Sequence, residues 1–489
     1  MPGADDLVLG IDVGTTLVKA ALYAPGGSCL GAGEAPQGVS SPQPDWAEQS
    51  PDDWWSGLCH AVRTALQRAR LPGARVAALG LATQGGTFAI FDARSVPRGP
   101  ALVWSDGRLR STADGPELVE EHFQLTGVSH RGMTPAGIEW IKANRSEWLA
   151  PPYRIGFVPD YLTFRLTGTW ITDPTNLAIS NIHALSGGDV ALPLLARLGV
   201  PREAFAETRR AGEPAGPLSS AAAGALGLRE GIPVAVPAHD QYAAALGAGC
   251  VSPGDLLLSA GTAWVLLMTS AEPILDRQSS FWPGPHIEGG RWGLLGAISS
   301  GGSTLDAALA ITRQPHDWAQ IDRAVADIPA GSDGLIVIPH LVGRTLPSLD
   351  TGARGALLGW SYGHRREHLW RAAMEGLAFE TKVACDHLAR RGARTSSLRM
   401  VGGAARSPVW PDIVASVLDV PVRVFPDGDI AVRGAACLAR RAQGEPDLPR
   451  STGWAERRPI PEWRDVYRKQ YERYREAIGL LETRRLDTP

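Results

Sequence analysis

An apolar run from Leu7 to Val13 is followed by Gly14-Thr15-Thr16 and by a second β-rich run from Leu17 to Tyr23. Two such runs joined by a tight Gly-Thr turn predict a β-hairpin. Pro25-Gly26-Gly27 supplies the next turn, and residues 28–34 predict a third strand. Ser50-Pro51-Asp52-Asp53 then sets a serine cap, a proline and two acids at the start of a helix. Its apolar positions, Trp55, Leu58, Val62, Leu66 and Ala69, fall on one face, and the helix runs to about Arg70. Leu71-Pro72-Gly73 stops it, and residues 76–82 predict a short buried strand.

The same pattern returns past the midpoint. Residues 255–259 predict a strand, Ala260-Gly261-Thr262 a turn, and residues 263–269 the answering strand. Residues 231–238 read as a strand ending at His239-Asp240-Gln241, with a helix of small residues over 242–249. Residues 398–401 run as a strand into Gly402-Gly403; a helix over 408–418 and a strand over 422–425 complete a βαβ unit. A last amphipathic helix spans about 461–483, with Val466, Tyr467, Tyr471, Tyr474, Ile478 and Leu481 on its apolar face. The Gly/Ala/Pro-rich stretch 211–227 reads as a surface excursion. A strand–Gly-Thr–strand unit at the start of each half predicts two similar α/β domains facing one cleft.

Length and composition narrow the class. The 489 residues suit two or three domains at about 100–200 residues each. At 44% hydrophobic and 20% charged, the chain is neither disordered nor collagen-like. A net charge of −3 gives no basic field for nucleic acid or an anionic membrane. Five scattered cysteines form no C-x-x-C pair, which argues against a disulfide framework or a zinc site. There is neither a basic, then apolar, leader nor a membrane-length apolar run. These features predict a soluble, cytoplasmic protein.

The two hairpin turns present backbone N–H groups and threonine hydroxyls, a cradle suited to phosphate. Asp12, two residues before Gly14, is placed to hold Mg²⁺ directly or through water. Lys19 lies just beyond the turn, as a phosphate ligand or as an ordinary strand lysine. Asp240, at the end of a strand, either accepts a hydroxyl proton as that oxygen attacks phosphorus or caps the following helix. Trp104-Ser105-Asp106-Gly107-Arg108 joins an indole, a carboxylate and a guanidinium. It reads as a grip on a polyhydroxylated ligand or as a surface loop with a salt bridge. Gln84 is available to the same pocket. The chain has no P-loop, no complete dinucleotide fingerprint, no H-E-x-x-H and no G-x-S-x-G.

Together these residues resemble the FGGY family of carbohydrate kinases, nearest to its xylulokinase-like members, over nearly the whole chain. Leu9 to Thr16 is similar to the first phosphate motif of that family, and Ser259-Ala260-Gly261-Thr262 to the second. Trp46-Ala47-Glu48-Gln49-Ser50-Pro51-Asp52-Asp53-Trp54-Trp55 is similar to the start of its first long helix, and Trp104 to Arg108 to its W-x-D-x-R element. Asp240-Gln241 occupies the catalytic G-D-x position, with His239 for glycine. Gly301 to Asp306 and Gly402 to Ser407 resemble the segments lining the nucleotide.

The resemblance implies two RNase H-like domains, 1–247 for the sugar and 248–489 for the nucleotide, closing on MgATP and a sugar or polyol. Asp240 would be the general base and Asp12 would place Mg²⁺. Gly14, Thr15, Thr16, Lys19, Gly261 and Thr262 would hold phosphates, with Gly302, Gly402, Gly403 and Arg406 around the nucleoside. Gln84, Gly86, Trp104, Asp106, Arg108 and Gln241 would line the acceptor pocket. The expected reaction is ATP-dependent phosphorylation of a terminal hydroxyl on a xylulose-like substrate; another pentulose, a deoxy-hexulose or a tetritol is the alternative. A nucleotide-driven binding protein of the Hsp70/actin type is the alternative of another class, and a homodimer is compatible with either. Where xylulokinases carry Q-M-H-G, this chain has Gln84-Gly85-Gly86-Thr87, and the absent ring at Gly86 predicts room for a larger substrate or for a different hydroxyl pattern. Glycerol kinases have Arg-Glu after that glutamine, which two glycines cannot mimic.

Overall fold

The computed structural model describes residues 7–110, 115–315, 317–425, 429–449 and 453–483. Its first sheet runs in the order Pro214–Pro217, Pro233–Ala235, Val76–Thr83, Leu7–Val13, Leu17–Tyr23, Cys29–Pro36, and Ala238–His239 also pairs with Val76–Thr83. Leu7–Val13 is antiparallel to Leu17–Tyr23 and parallel to Val76–Thr83. The second sheet runs Trp282–Pro285, Trp292–Ile298, Trp264–Ser270, Asp255–Ala260, Ser397–Val401, Val422–Val424, Ala455–Arg457. There Asp255–Ala260 is antiparallel to Trp264–Ser270 and parallel to Ser397–Val401. One pairing plan, three antiparallel strands followed by parallel neighbours, therefore occurs twice, with Trp282–Pro285 added at the edge of the second sheet. Val76–Thr83 is buried along its whole length, which is why it reads as an unbroken apolar run rather than an alternating one.

The first long helix, Pro51–Ala69, begins and ends where its sequence signals place it, with Arg70 left-handed at its C-terminus (φ 54°). Ser50 has the extended backbone of a cap, but its hydroxyl makes no capping bond. Trp54, not Trp55, enters the core, because its indole N–H also reaches Gln49 Oε1 at 3.1 Å. Trp55 lies beneath the Arg165 guanidinium, 4.5 Å from its ring centroid.

Three other expectations change. The strand expected over 231–238 is two short ones, Pro233–Ala235 and Ala238–His239, separated by Val236 and Pro237. The stretch 211–227 is not a surface excursion. Pro214–Pro217 is the edge strand of the first sheet, a position that tolerates proline. Ser220–Leu226 is a helix that buries Ala222, Ala223 and Leu226. In the last helix, Arg464–Thr483, the tyrosines 467, 471 and 474 are buried, whereas Val466 and Leu481 are exposed.

Two helices lie between the sheets. Ile430–Arg441, although near the C-terminus, packs on Leu7–Val13 and Val76–Thr83 of the first sheet. Val432, Ala435 and Ala436 join Val8 and Ala78 in one apolar cluster. Asp240–Ala248 packs beside it, with Ala244 and Ala245 turned towards Leu257, Leu267 and Val401 of the second sheet. The helices approach closely enough that a Cβ on Gly434 would stand 1.8 Å from the Ala243 carbonyl oxygen. A second contact joins the lobes at their rim, where Arg277 donates to Glu120 at 2.6 and 2.7 Å and Trp282 Nε1 donates to Asn181 Oδ1 at 2.8 Å. Among the described residues, no helix is long and apolar enough to cross a membrane.

Candidate active site

Leu7–Val13, Val76–Thr83 and Ala238–His239 run parallel, so the segments leaving their C-terminal ends meet at one edge of the first sheet. They deliver Gly14-Thr15-Thr16, Gln84-Gly85-Gly86-Thr87 and Asp240. This is where open α/β sheets place their ligands.

Asp240 is the first residue of the Asp240–Ala248 helix; His239 holds the cap position, and the His239 side chain makes no capping bond. The helix-cap alternative is therefore not what the geometry shows. Its Oδ1 is enclosed without a hydrogen bond, and its side chain is 26% exposed. A carboxylate at a helix N-terminus is favoured by the helix dipole. Asp12 stands close by, and its Oδ1 is likewise enclosed and unpartnered. Burial, then the neighbouring charge of Asp240, pushes the Asp12 carboxyl up to about 8, while Lys19 acts in the opposite sense. Two buried carboxylate oxygens without donors form a site with affinity for a cation. Lys19 is engaged by Asp429, a residue the sequence did not single out, and so is neither a free strand lysine nor an open phosphate ligand.

The first turn is hydrogen-bonded to the segments that carry Gln84 and Trp104. Gly14 N–H is taken up by the Leu17 carbonyl within the turn. Thr15 Oγ1 donates to Gln84 Oε1 at 2.9 Å and accepts from Trp104 Nε1 at 2.9 Å. Thr16, the other threonine of this turn, is exposed. Gln84 is 3% exposed; its carbonyl also accepts from Thr87 and its amide donates to Gln49. It thus lies beneath the pocket as a bracket. Trp104, 48% exposed, presents its indole to the cleft.

Asp106 and Arg108 occupy a different place from the one expected. Asp106, 1% exposed, accepts from Ala47 N and from the backbone N, Nε and Nη2 of Arg108. Arg108 also reaches Glu48 at 2.7 Å, and its guanidinium lies 3.7 Å from the Trp46 ring centroid. Each satisfies the other inside the lobe, so together they brace the Trp104 loop. Gln241 faces the second sheet, where it accepts from Ser259 Oγ at 2.6 Å.

The slot above Gly86 is not empty. Gly86 has φ +74°, and a Cβ there would meet Met133 Cε at 2.1 Å and Trp104 Cβ at 3.4 Å. The Met133 thioether fills the space that the missing ring was expected to leave, so the enlarged pocket is not formed. Met133 arrives from a distant segment in a left-handed backbone state (φ 63°), a contact with no local signal.

Across the cleft, the second turn exposes Gly261 and Thr262. Gly302 N donates to Gly261 O at 2.9 Å and Ser303 N to Thr262 O at 3.2 Å, fastening the 301–303 turn to it. Gly402 follows the adjacent parallel strand with φ +92°, where a Cβ would stand 2.8 Å from the Ala260 carbonyl oxygen. Gly403 and Arg406 are exposed beside it. The geometry therefore offers two turns flanking a pair of underbonded carboxylates.

A sequence model of the FGGY family of carbohydrate kinases, N-terminal domain, matches residues 7–247, and that of its C-terminal domain matches residues 256–443. A glycerol kinase of Alkalilimnicola ehrlichii is 30% identical over 461 residues, covering 89% of this chain and 90% of that one. A xylulose kinase of Escherichia coli is 27% identical over 439 residues, with coverage of 89% and 90%. The crystal structure of a xylulose kinase from Rhodospirillum rubrum superimposes with a TM-score of 0.88 at 27% identity, covering 98% of this chain and 99% of the other.

Proposed function

The chain belongs to the FGGY family of carbohydrate kinases, ATP-dependent phosphotransferases, and from that premise we propose that it transfers the γ-phosphoryl group of ATP to a terminal hydroxyl of a xylulose-like ketose. Residues 1–247 carry the acceptor pocket and 248–489 the nucleotide side. The observation that carries the assignment is Asp240: an underbonded carboxylate at a helix N-terminus, beside Asp12 at the cleft.

Asp240 takes the hydroxyl proton as the oxygen–phosphorus bond forms and the bond from the γ-phosphorus to ADP breaks. Such general-base action contributes about 10²–10⁴ in rate. Thr16 and the exposed amides of the first turn orient the phosphates from one side, and Gly261 and Thr262 from the other. Gly302, Gly402, Gly403 and Arg406 border the nucleoside. Mg²⁺ fits beside Asp12, whose enclosed Oδ1 has no protein partner, and when bound would neutralise phosphate charge. Trp104 and Met133 form an apolar wall for the C–H face of the acceptor. Closure of the lobes keeps water from competing with the sugar.

Glycerol is the second acceptor to weigh, because glycerol kinases are among the relatives. Gly85 and Gly86 stand where glycerol kinases carry Arg-Glu, a departure that favours the ketose. The test is coupled ADP release with D-xylulose, D-ribulose, glycerol and a tetritol in parallel. Ketose-dependent release is expected. Release with glycerol alone would overturn the substrate assignment, and release indifferent to every acceptor would overturn the kinase mechanism proposed for the site.

A further inference from the structure

Beside Asp240 an imidazole sits in a slot shaped to hold it. His239 is 6% exposed. Its backbone N–H donates to Thr175 Oγ1 at 2.9 Å, and Thr175 donates to the buried Asp173 at 2.6 Å. The Tyr242 ring stands edge-on to it, with centroids 6.0 Å apart. On another side lies Gly85, where a Cβ would come within 2.4 Å of His239 Cδ2, 2.4 Å of Ile179 Cγ2 and 2.9 Å of His239 Nε2. The ring is thereby held with Nε2 3.2 Å from Asp240 Oδ1. Its Nδ1 is enclosed and has no hydrogen-bond partner. A buried imidazole whose nitrogens lack proper hydrogen bonds is unfavourable for stability alone, so its location calls for a role in the site.

We infer that His239 is a positioning residue for the general base, resting on the assignment of Asp240 to that task. Nε2 stands 3.2 Å from Oδ1 without a hydrogen bond and restricts the rotation of the carboxylate by contact. The hydroxyl proton passes to Asp240 alone, and His239 neither gains nor loses one. Gly85 belongs to the same device: the His239 ring and the Ile179 methyl group together occupy the volume of its side chain. Two positions far apart in the chain are therefore coupled, and the coupling can be measured.

The experiment measures kcat for the best acceptor among D-xylulose, D-ribulose and glycerol, together with ATP affinity. The variants are His239→Leu, His239→Gln, Gly85→Ala, His239→Gly, the Gly85→Ala/His239→Gly double variant and Asp240→Asn. His239→Leu is expected to lower kcat by about 10–100-fold with KM for ATP within about twofold of wild type. His239→Gln, whose amide nitrogen can stand near the Nε2 position, should recover most of that loss. Gly85→Ala should lower kcat comparably in the native background and by clearly less when added to His239→Gly, the Ile179 contact accounting for the loss that remains. Equal losses from Gly85→Ala in both backgrounds, or unaltered kcat in His239→Leu, overturn the inference. The double-variant comparison and His239→Gln decide it should the leucine variant fail to fold. Turnover retained in Asp240→Asn would instead remove the base assignment itself; loss there with full activity in His239→Leu would remove only the role of His239.

Discussion

Asp12 concentrates the site's electrostatics. Its carboxyl is enclosed and faces Asp240, and both effects disfavour its charge. An acid whose folded-state pKa is raised destabilises the fold wherever the unfolded chain would ionise it, here from the ordinary carboxylate range upwards to about 8. Asp12→Asn should therefore stabilise the ligand-free protein by about 1–3 kcal/mol at pH 8, a gain that fades below pH ~4 where both states are protonated. It should also abolish the extra thermal stabilisation that MgATP gives over ATP with chelator. Calorimetry at the two pH values checks this; a destabilised variant at pH 8 would contradict the charge account. At this scale the sequence was only half readable. Asp12, Asp240 and the exposed threonines stand out because an acid or hydroxyl beside a turn glycine is a local signal. Met133 over Gly86, Asp429 on Lys19 and the mutual satisfaction of Asp106 and Arg108 depend on which distant segments meet, which spacing does not encode.

At the scale of elements, the two helices between the sheets are the most exacting contact. Gly434→Ala places a methyl group against the Ala243 carbonyl, and the backbones must separate to admit it. A loss of at least about 2 kcal/mol in denaturant unfolding is expected; a loss below about 0.5 kcal/mol would mean the crossing is looser than described. The Pro116–Thr126 helix offers a pH test. Burial, followed by the charges of His130 and Arg131, lowers the His122 pKa to about 3, and neither ring nitrogen has a hydrogen-bond partner. A base with a depressed folded-state pKa contributes stability above its unfolded pKa and loses it as pH falls towards the folded value. His122→Leu should thus gain on wild type by up to about 1.4 kcal/mol per pH unit between about 6.5 and 3. A pH-independent difference would contradict this. Elements were the legible level of this chain: both Gly-Thr hairpins and the Pro51–Ala69 helix follow from local turn and cap chemistry. The edge strand Pro214–Pro217 was missed because its two prolines and glycine mimic a loop, and its partner strand is found only in the folded sheet.

For the molecule as a whole, duplication explains the arrangement. Each half carries the same hairpin on the same sheet plan, and the Ile430–Arg441 helix of the second half packs on the first sheet. The Asp240–Ala248 helix ties the halves together, with Gln241 bonded to Ser259 just before the second turn, and the Trp282–Asn181 contact joins them elsewhere. The proposed mechanism gives the proton transfer to Asp240 alone, and the central claim can be measured on it. Steady-state ADP release and ATP binding by titration calorimetry should be compared for wild type and Asp240→Asn. A fall in kcat of about 10²–10⁴-fold with ATP affinity within about twofold is predicted. An Asn variant that turns over within about threefold of wild type would show that the proton leaves by another route.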